Sequence, residues 1–419
     1  VAVRDGKIVL VGDLTGVEAD RTIDAGGLLL LPGLIDTQVH FREPGLTHKE
    51  DLESGTRAAL HGGVTSILEM PNTVPPTTSR EALADKLKRA SGRAWCNYGF
   101  FVGASADNIS ELASLETEPG CPGIKVFMGS STGSLLVESD EDLLQVLKNG
   151  KKRFPVHAED EPRNRARKEL ISDHPSVAEH PFLRDSESAR LATERILRLS
   201  KETGRPVHIL HVSTAVELPL LRAAKDTGLG TTCEVTPQHL FFAAPECYER
   251  LGTWAQMNPP IRSEHDREAL WGAVHDGLFD VFGSDHAPHT LEEKSKPYPQ
   301  SPSGMPGVQT MLPVLMNFVA EGRLSVQDVV RMGCENPSKL YGIKGKGFIA
   351  EGFDADLVLV DPEWRRTVET SFLQSKCGWS PYEGLTLQGW PRLVILGGQV
   401  SIEGEVRAGE PSGTMLRFD

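Results

Sequence analysis

At 419 residues the chain is long enough for two to four domains of ~100–200 residues, or for one large barrel with an appendage. Charged residues make up 24% and hydrophobic residues 39%, a globular composition that excludes disorder, collagen and coiled coil. Lys plus Arg is 44 against 58 Asp plus Glu, a net charge of −14 with no basic block, which excludes a nucleic-acid partner and reads as solubility.

Six cysteines occur, Cys96, Cys121, Cys233, Cys247, Cys334 and Cys377, and none is spaced as CxxC. Zinc ribbons and thioredoxin-like redox motifs are therefore out, and sparse thiols in a long chain suggest a reducing, cytoplasmic setting. No apolar run approaches the ~18–20 residues of a membrane span, so no membrane partner is expected. No secretion signal opens the chain. It starts on Val1 rather than Met, so further residues are expected upstream.

Residues 1–31 read as short alternating strands, with a turn at Asp5-Gly6. From residue 33 the pattern changes to apolar runs followed by polar or Gly-containing turns and amphipathic stretches. Eight runs are found, at 33–39, 64–70, 95–102, 123–128, 154–158, 207–212, 231–235 and 280–283. Helices are predicted between them at 49–60, 81–90, 140–148, 186–201 and 267–274. In the fourth, Leu191, Ile196, Leu197 and Leu199 are read as the apolar face. Eight alternating units over ~250 residues predict an α/β fold, a (β/α)8 TIM barrel, in preference to an open doubly wound sheet. The Pro-, Ser- and Gly-rich segment 294–307 reads either as an ordered loop over the barrel mouth or as a plain surface loop. Residues 347–361 and 392–406 are again strand-like. The expected organisation is a barrel over residues 32–345 and a small β-sandwich-like domain made by both chain ends, residues 1–31 and 346–419.

Chemistry in such a barrel sits at the C-terminal ends of its strands. Run 1 ends in Gln38-Val39-His40-Phe41-Arg42, run 2 in Met70-Pro71-Asn72, run 5 in His157-Ala158-Glu159, run 6 in His208-Ile209-Leu210-His211 and run 8 in Asp285-His286-Ala287-Pro288-His289. One histidine near a strand is usually a hydrogen-bonded core residue. Four histidines and an aspartate at matching ends of different strands read as ligands of a catalytic zinc-type ion. Lys125 lies inside the apolar run 123–128. Either its stem is buried and its ammonium reaches solvent, or the amine is neutral, reacts with CO2 and becomes an anionic carbamate that bridges two cations. Period-2 geometry selects His211 over His208 as the inward residue. His48, His61, His174, His180, His265 and His275 lack a converging partner, and His239 is placed no closer than behind the ligands.

Three motifs carry a family resemblance: the stretch Gly33-Leu34-Ile35-Asp36-Thr37-Gln38-Val39-His40-Phe41-Arg42-Glu43-Pro44-Gly45, then Met70-Pro71-Asn72-Thr73, then Gly283-Ser284-Asp285-His286-Ala287-Pro288-His289. Asn258-Pro259-Pro260-Ile261-Arg262 adds to them. Together they resemble the amidohydrolase superfamily and, within it, the dihydroorotases, over about residues 30–345. The resemblance implies zinc (Zn2+, one or two ions per chain) and reversible cyclisation of N-carbamoyl-L-aspartate to L-dihydroorotate in pyrimidine biosynthesis. By position, His40 and Asp285 would hold one metal, His157 and His211 the other, with carboxylated Lys125 as the bridge. Arg42, Asn72 and His289 would grip the substrate carboxylate, and Asn258 with the Pro306-Gly307 backbone would meet the ring amides. Asp285 would act as base and then acid. Ser131 and Thr132, in a Gly- and Ser-rich loop after run 4, would close over a small-molecule substrate. One departure stands out: the superfamily's first strand ends in His-x-His, and here the first position is Gln38, a weaker neutral oxygen donor.

Two other readings compete. A hydantoinase- or allantoinase-like hydrolase shares the metal set without needing the carboxylate grip. A non-catalytic homologue that stabilises a partner such as aspartate transcarbamoylase is motivated by Gln38 and opposed by intact Lys125, His157, His211 and Asp285. A homo-oligomer is expected.

Overall fold

The computed structural model describes residues 1–129, 135–404, 406–407 and 409–419. Strands β1 (Ala2–Arg4) and β2 (Lys7–Leu10) pair as a hairpin. Its turn residues Asp5 and Gly6 both take positive φ, 49° and 75°, matching the right-handed strand twist. Strand β3 (Leu29–Pro32) leaves this hairpin for a different sheet. Gly33 then carries the chain into the barrel. A Cβ there would lie 2.1 Å from Thr65 Oγ1, so only glycine allows this approach.

The barrel strands are β4 (Leu34–Val39), β5 (Val64–Glu69), β6 (Asn97–Phe100), β7 (Val102–Gly103), β8 (Ile124–Phe127), β9 (Phe154–His157), β10 (Val207–Ile209), β11 (Thr232–Val235) and β12 (Val281–Phe282). All pairings among them are parallel, β4 through β6 in one ladder and β7 through β12 in the other. Strands β6 and β7 are one strand interrupted at Phe101, whose N–H donates to Glu69 O (2.9 Å). The ring closes where Val39 bridges His286 in parallel and His40 N–H donates to His286 O (2.7 Å). Each of the eight apolar runs thus supplies one barrel strand. Every residue of these strands is buried, which explains their near-continuous apolar character.

Helices α1 (Leu52–His61), α2 (Arg80–Ala90), α3 (Asp140–Lys148), α4 (Ser186–Thr203) and α5 (Glu264–His275) occupy the predicted positions. Asp51, Ser79, Ser139, Asp185 and Ser263 cap them by accepting a backbone N–H three residues on. The buried stripe of α4 runs through Ala189, Ala192, Ile196 and Leu199. Leu191 and Leu197 are only half-buried, because the i, i+3, i+7 spacing from Ala189 sets the inward face.

Strands β13 (Leu357–Thr367), β14 (Thr386–Leu396), β15 (Gln399–Glu403) and β16 (Val406–Arg407) complete the second sheet. It is antiparallel, in the order β16-β15-β14-β13-β3, so strands from both chain ends build it. The last residues do not join it: Met415 bridges Tyr98, and Leu416 N–H donates to Tyr98 O (2.9 Å).

Candidate active site

Three of the residues singled out in the sequence stand where the backbone turns out of a strand at positive φ: Arg42 (64°), His211 (36°) and Asp285 (44°). Such angles are costly for side chains with a Cβ and cluster at functional sites. Asp36 ties β4 to the Asp285 turn by accepting from Gln38 N–H (3.2 Å) and Ser284 N–H (3.0 Å), and its burial raises its pKa to about 7.

Two pairs of ligand-type side chains face each other across the strand ends. In the first, His40 Nε2 is 3.2 Å from Asp285 Oδ1. His40 Nδ1 is 2.6 Å from Asn72 Oδ1, an acceptor, so the ring proton belongs on Nδ1 and the Nε2 lone pair faces the carboxylate. Gln38 Nε2 donates to the same Asp285 oxygen (3.0 Å), and its Oε1 is buried without a partner. In the second pair, His157 Nδ1 and His211 Nε2 are 2.9 Å apart. Glu159 Oε2 accepts from His157 Nε2 (2.8 Å) and is held by Arg184 Nη2 (2.5 Å). Glu159 therefore leaves the His157 Nδ1 lone pair facing His211. Burial lowers the pKa of His40, His157 and His211, which keeps these rings neutral and ligand-competent.

Lone pairs that face a carboxylate or another imidazole at these distances are repulsive unless a proton or cation lies between them. Among the described residues no group of three or more His, Cys, Asp or Glu converges as a metal-holding cluster. A third donor for a cation at either pair would have to come from outside those residue types. Gln38, with its orphaned oxygen, and Lys125 are the ones at hand. Lys125 is 1% exposed on β8, with Nζ 4.6 Å from the Phe127 ring centre. Burial lowers its pKa to about 7, the nearby charges of Asp285 and Glu234 opposing this. The amine is therefore buried, and the snorkelling alternative fails.

A small cavity beside the first pair is lined by His40, Arg42, Asn258, Asp285, Ala287, Ser303 and Gly304. Segment 294–307 thus does contribute to the barrel mouth. Arg42 is 2% exposed. Its Nε donates to Pro288 O (3.2 Å), and Nη2 lies 3.4 Å from His289 Nε2. Among the described residues no carboxylate reaches ion-pair distance of its guanidinium. Asn258 Oδ1 is 2.9 Å from His180 Nε2. Asn72 stands behind His40 rather than on the cavity wall, while Pro306 and Gly307 are buried, with Gly307 N–H donating to His286 Nδ1 (3.0 Å). Ser131 and Thr132 lie outside the described residues.

Sequence reasoning missed Glu159, Arg184, His180 and Glu234. Glu159 had a signal, since period-2 spacing places it with His157. Glu234, on β11, accepts from Thr37 Oγ1 (2.7 Å), and burial raises its pKa to about 8. No local pattern marks Arg184 or His180.

Residues 29–401 match the family model described as the Amidohydrolase family. The chain is 36% identical over 396 residues to the dihydroorotase of Methanosarcina acetivorans, covering 92% of this chain and 84% of that one. It is 38% identical over 373 residues to the dihydroorotase of Halobacterium salinarum, covering 88% and 86%. Among solved structures it is similar to an L-hydantoinase (dihydropyrimidinase) from Arthrobacter aurescens, with a TM-score of 0.95, 32% identity and coverage of 99% and 95%. A parallel barrel with facing pairs of histidines and carboxylate at its strand ends, matched over nearly its whole length by such relatives, belongs to the amidohydrolase family, and the chain is one of its cyclic-amide hydrolases.

Proposed function

We propose that this enzyme opens and closes the ring of L-dihydroorotate, the reversible cyclisation of N-carbamoyl-L-aspartate. The observation that carries the reading is Arg42: a buried guanidinium at a cavity wall with no carboxylate of the described protein within ion-pair distance. Asp285, Glu69, Glu293 and Glu50 act on this charge only from beyond ion-pair distance. A buried cation without a direct partner is expensive, and a substrate carboxylate would relieve the cost with a planar two-pronged grip. The dihydroorotase relatives support the same substrate. A second reading, a hydantoinase-like ring hydrolase, is favoured by the close match to the L-hydantoinase structure. Assaying the purified protein on dihydroorotate, hydantoin and allantoin separates them. Turnover of the two rings that lack a carboxylate, without turnover of dihydroorotate, would reject the first.

The residues fit a zinc site. His40, Asp285 and the Gln38 oxygen would hold one ion, and His157 with His211 the other, with Lys125 between them as a carbamate formed by its neutral amine and CO2 with loss of one proton. When bound, zinc lowers the pKa of water to about 7 and polarises a carbonyl oxygen. The chain's own residues do the rest. Arg42 and His289 orient the ring through its carboxylate. Asn258, steadied by His180, meets a ring amide. Asp285, steadied by Gln38, takes a proton from the attacking water and returns it to the departing amide nitrogen, as base and then acid.

A further inference from the structure

Lys49 lies between β4 and α1, outside the constellation read from the sequence. Its side chain is 13% exposed, and its Nζ is 3.1 Å from His289 Nδ1 and 3.1 Å from Glu293 Oε1. An ammonium only donates, so His289 Nδ1 must accept and the ring proton must sit on Nε2. Nε2 satisfies this: it is 3.0 Å from Ser303 O, an acceptor on the cavity side, a shorter contact than the 3.4 Å to Arg42 Nη2. Burial, with Arg42 and Lys49 nearby, lowers the His289 pKa to about 3, so the ring is neutral. Burial lowers the Lys49 pKa, and Glu293 opposes the shift by pairing with the ammonium. Arg42 and Lys49 thus flank one neutral imidazole. Glu293 is the carboxylate within ion-pair distance of this group. It lies on the outer side, shared with His48 Nε2 (3.5 Å) and with His289 Nδ1 (3.7 Å). On the inner side, at Arg42, no carboxylate among the described residues lies at ion-pair distance.

We propose that Lys49 is a specificity-determining positioning residue: it fixes His289 as an Nε2–H donor and holds a second positive charge behind Arg42, tuning the cavity for a ring that bears a carboxylate. This rests on the dihydroorotate reading. It makes Lys49 the outer half of the anion grip, acting through His289 rather than by touching the substrate.

The test uses the zinc-loaded enzyme, L-dihydroorotate, and dihydrouracil, the same ring without the carboxylate. Lys49→Met should raise KM for dihydroorotate about tenfold, the size of one lost interaction with a charged group, with kcat within about twofold. Dihydrouracil kinetics should not change. In 15N spectra of histidine-labelled protein, His289 should shift from the Nε2–H pattern in the wild type toward Nδ1–H in the variant. Lys49→Arg should restore KM. An unchanged KM, or a His289 signal indifferent to Lys49, would overturn the inference. If Lys49→Met fails to fold, Lys49→Gln keeps a donor without the charge. KM should then rise while the tautomer persists, and an unmoved KM counts against the charge. A wild type that handles both rings equally rejects the substrate reading instead, and Lys49 is then judged on the 15N signal alone.

Discussion

Replacing Lys125 by methionine should make the metal-free protein more stable, by an amount that depends on pH. Methionine fills nearly the same space and leaves no cavity, so the change isolates the charge. The amine's pKa falls from 10.5 to about 7 on folding. Because the folded value is the lower one, the unfolded chain binds the extra proton between those limits, and the wild-type protein gains stability as pH rises through that window. At 1.36 kcal/mol per pH unit, burying this lysine costs about 4 kcal/mol at pH 7 and about 2 kcal/mol at pH 9. Above pH 10.5 the cost vanishes, and below pH 7 it is at its full value. The assay is urea unfolding of chelator-stripped wild type and Lys125→Met in CO2-free buffer at both pH values. The variant's advantage should shrink by about half between pH 7 and pH 9. Equal stabilities, or an advantage that does not change with pH, would refute a buried neutral amine. That same neutral form reacts with CO2, so the variant should also lose zinc.

Arg42→Lys keeps the charge but loses the planar fork, so kcat/KM on dihydroorotate should fall about hundredfold, corresponding to one or two charge-assisted hydrogen bonds. A smaller fall than on an uncharged ring would contradict the grip. Gln38 offers only an amide oxygen, so graded chelation should remove one ion easily and the other late. Gln38→His should hold both, and two ions leaving the wild type together would rule out unequal sites. Glu159→Leu removes the acceptor that orients His157, and zinc affinity, read by competition with a chelator, should drop about 10- to 100-fold. An unaltered affinity would mean that Glu159 serves packing alone.

Much of this architecture was legible locally. An apolar run bounded by turn residues needs only its own few side chains to be recognised, and all eight runs became barrel strands. The fold class then converted strand ends into one surface, which is why His40, Lys125, His157, His211 and Asp285 could be named together. The roles of individual atoms were not legible. Asn72 reads from its motif as a substrate contact, and nothing in the motif signals that its oxygen also meets His40 Nδ1. Gln38 reads as a weak ligand, and only barrel closure shows that its amide nitrogen is engaged by Asp285, leaving the oxygen over. His180 sits on a short helix with no sequence signal, yet it meets Asn258, 78 residues away. Periodicity and turn chemistry act over a few residues, so sequence alone specifies strands, helices and the order of polar ends. Which nitrogen carries a proton, and which oxygen is left without a donor, depends on partners joined by the closing of β4 against β12, and only the tertiary structure decides it.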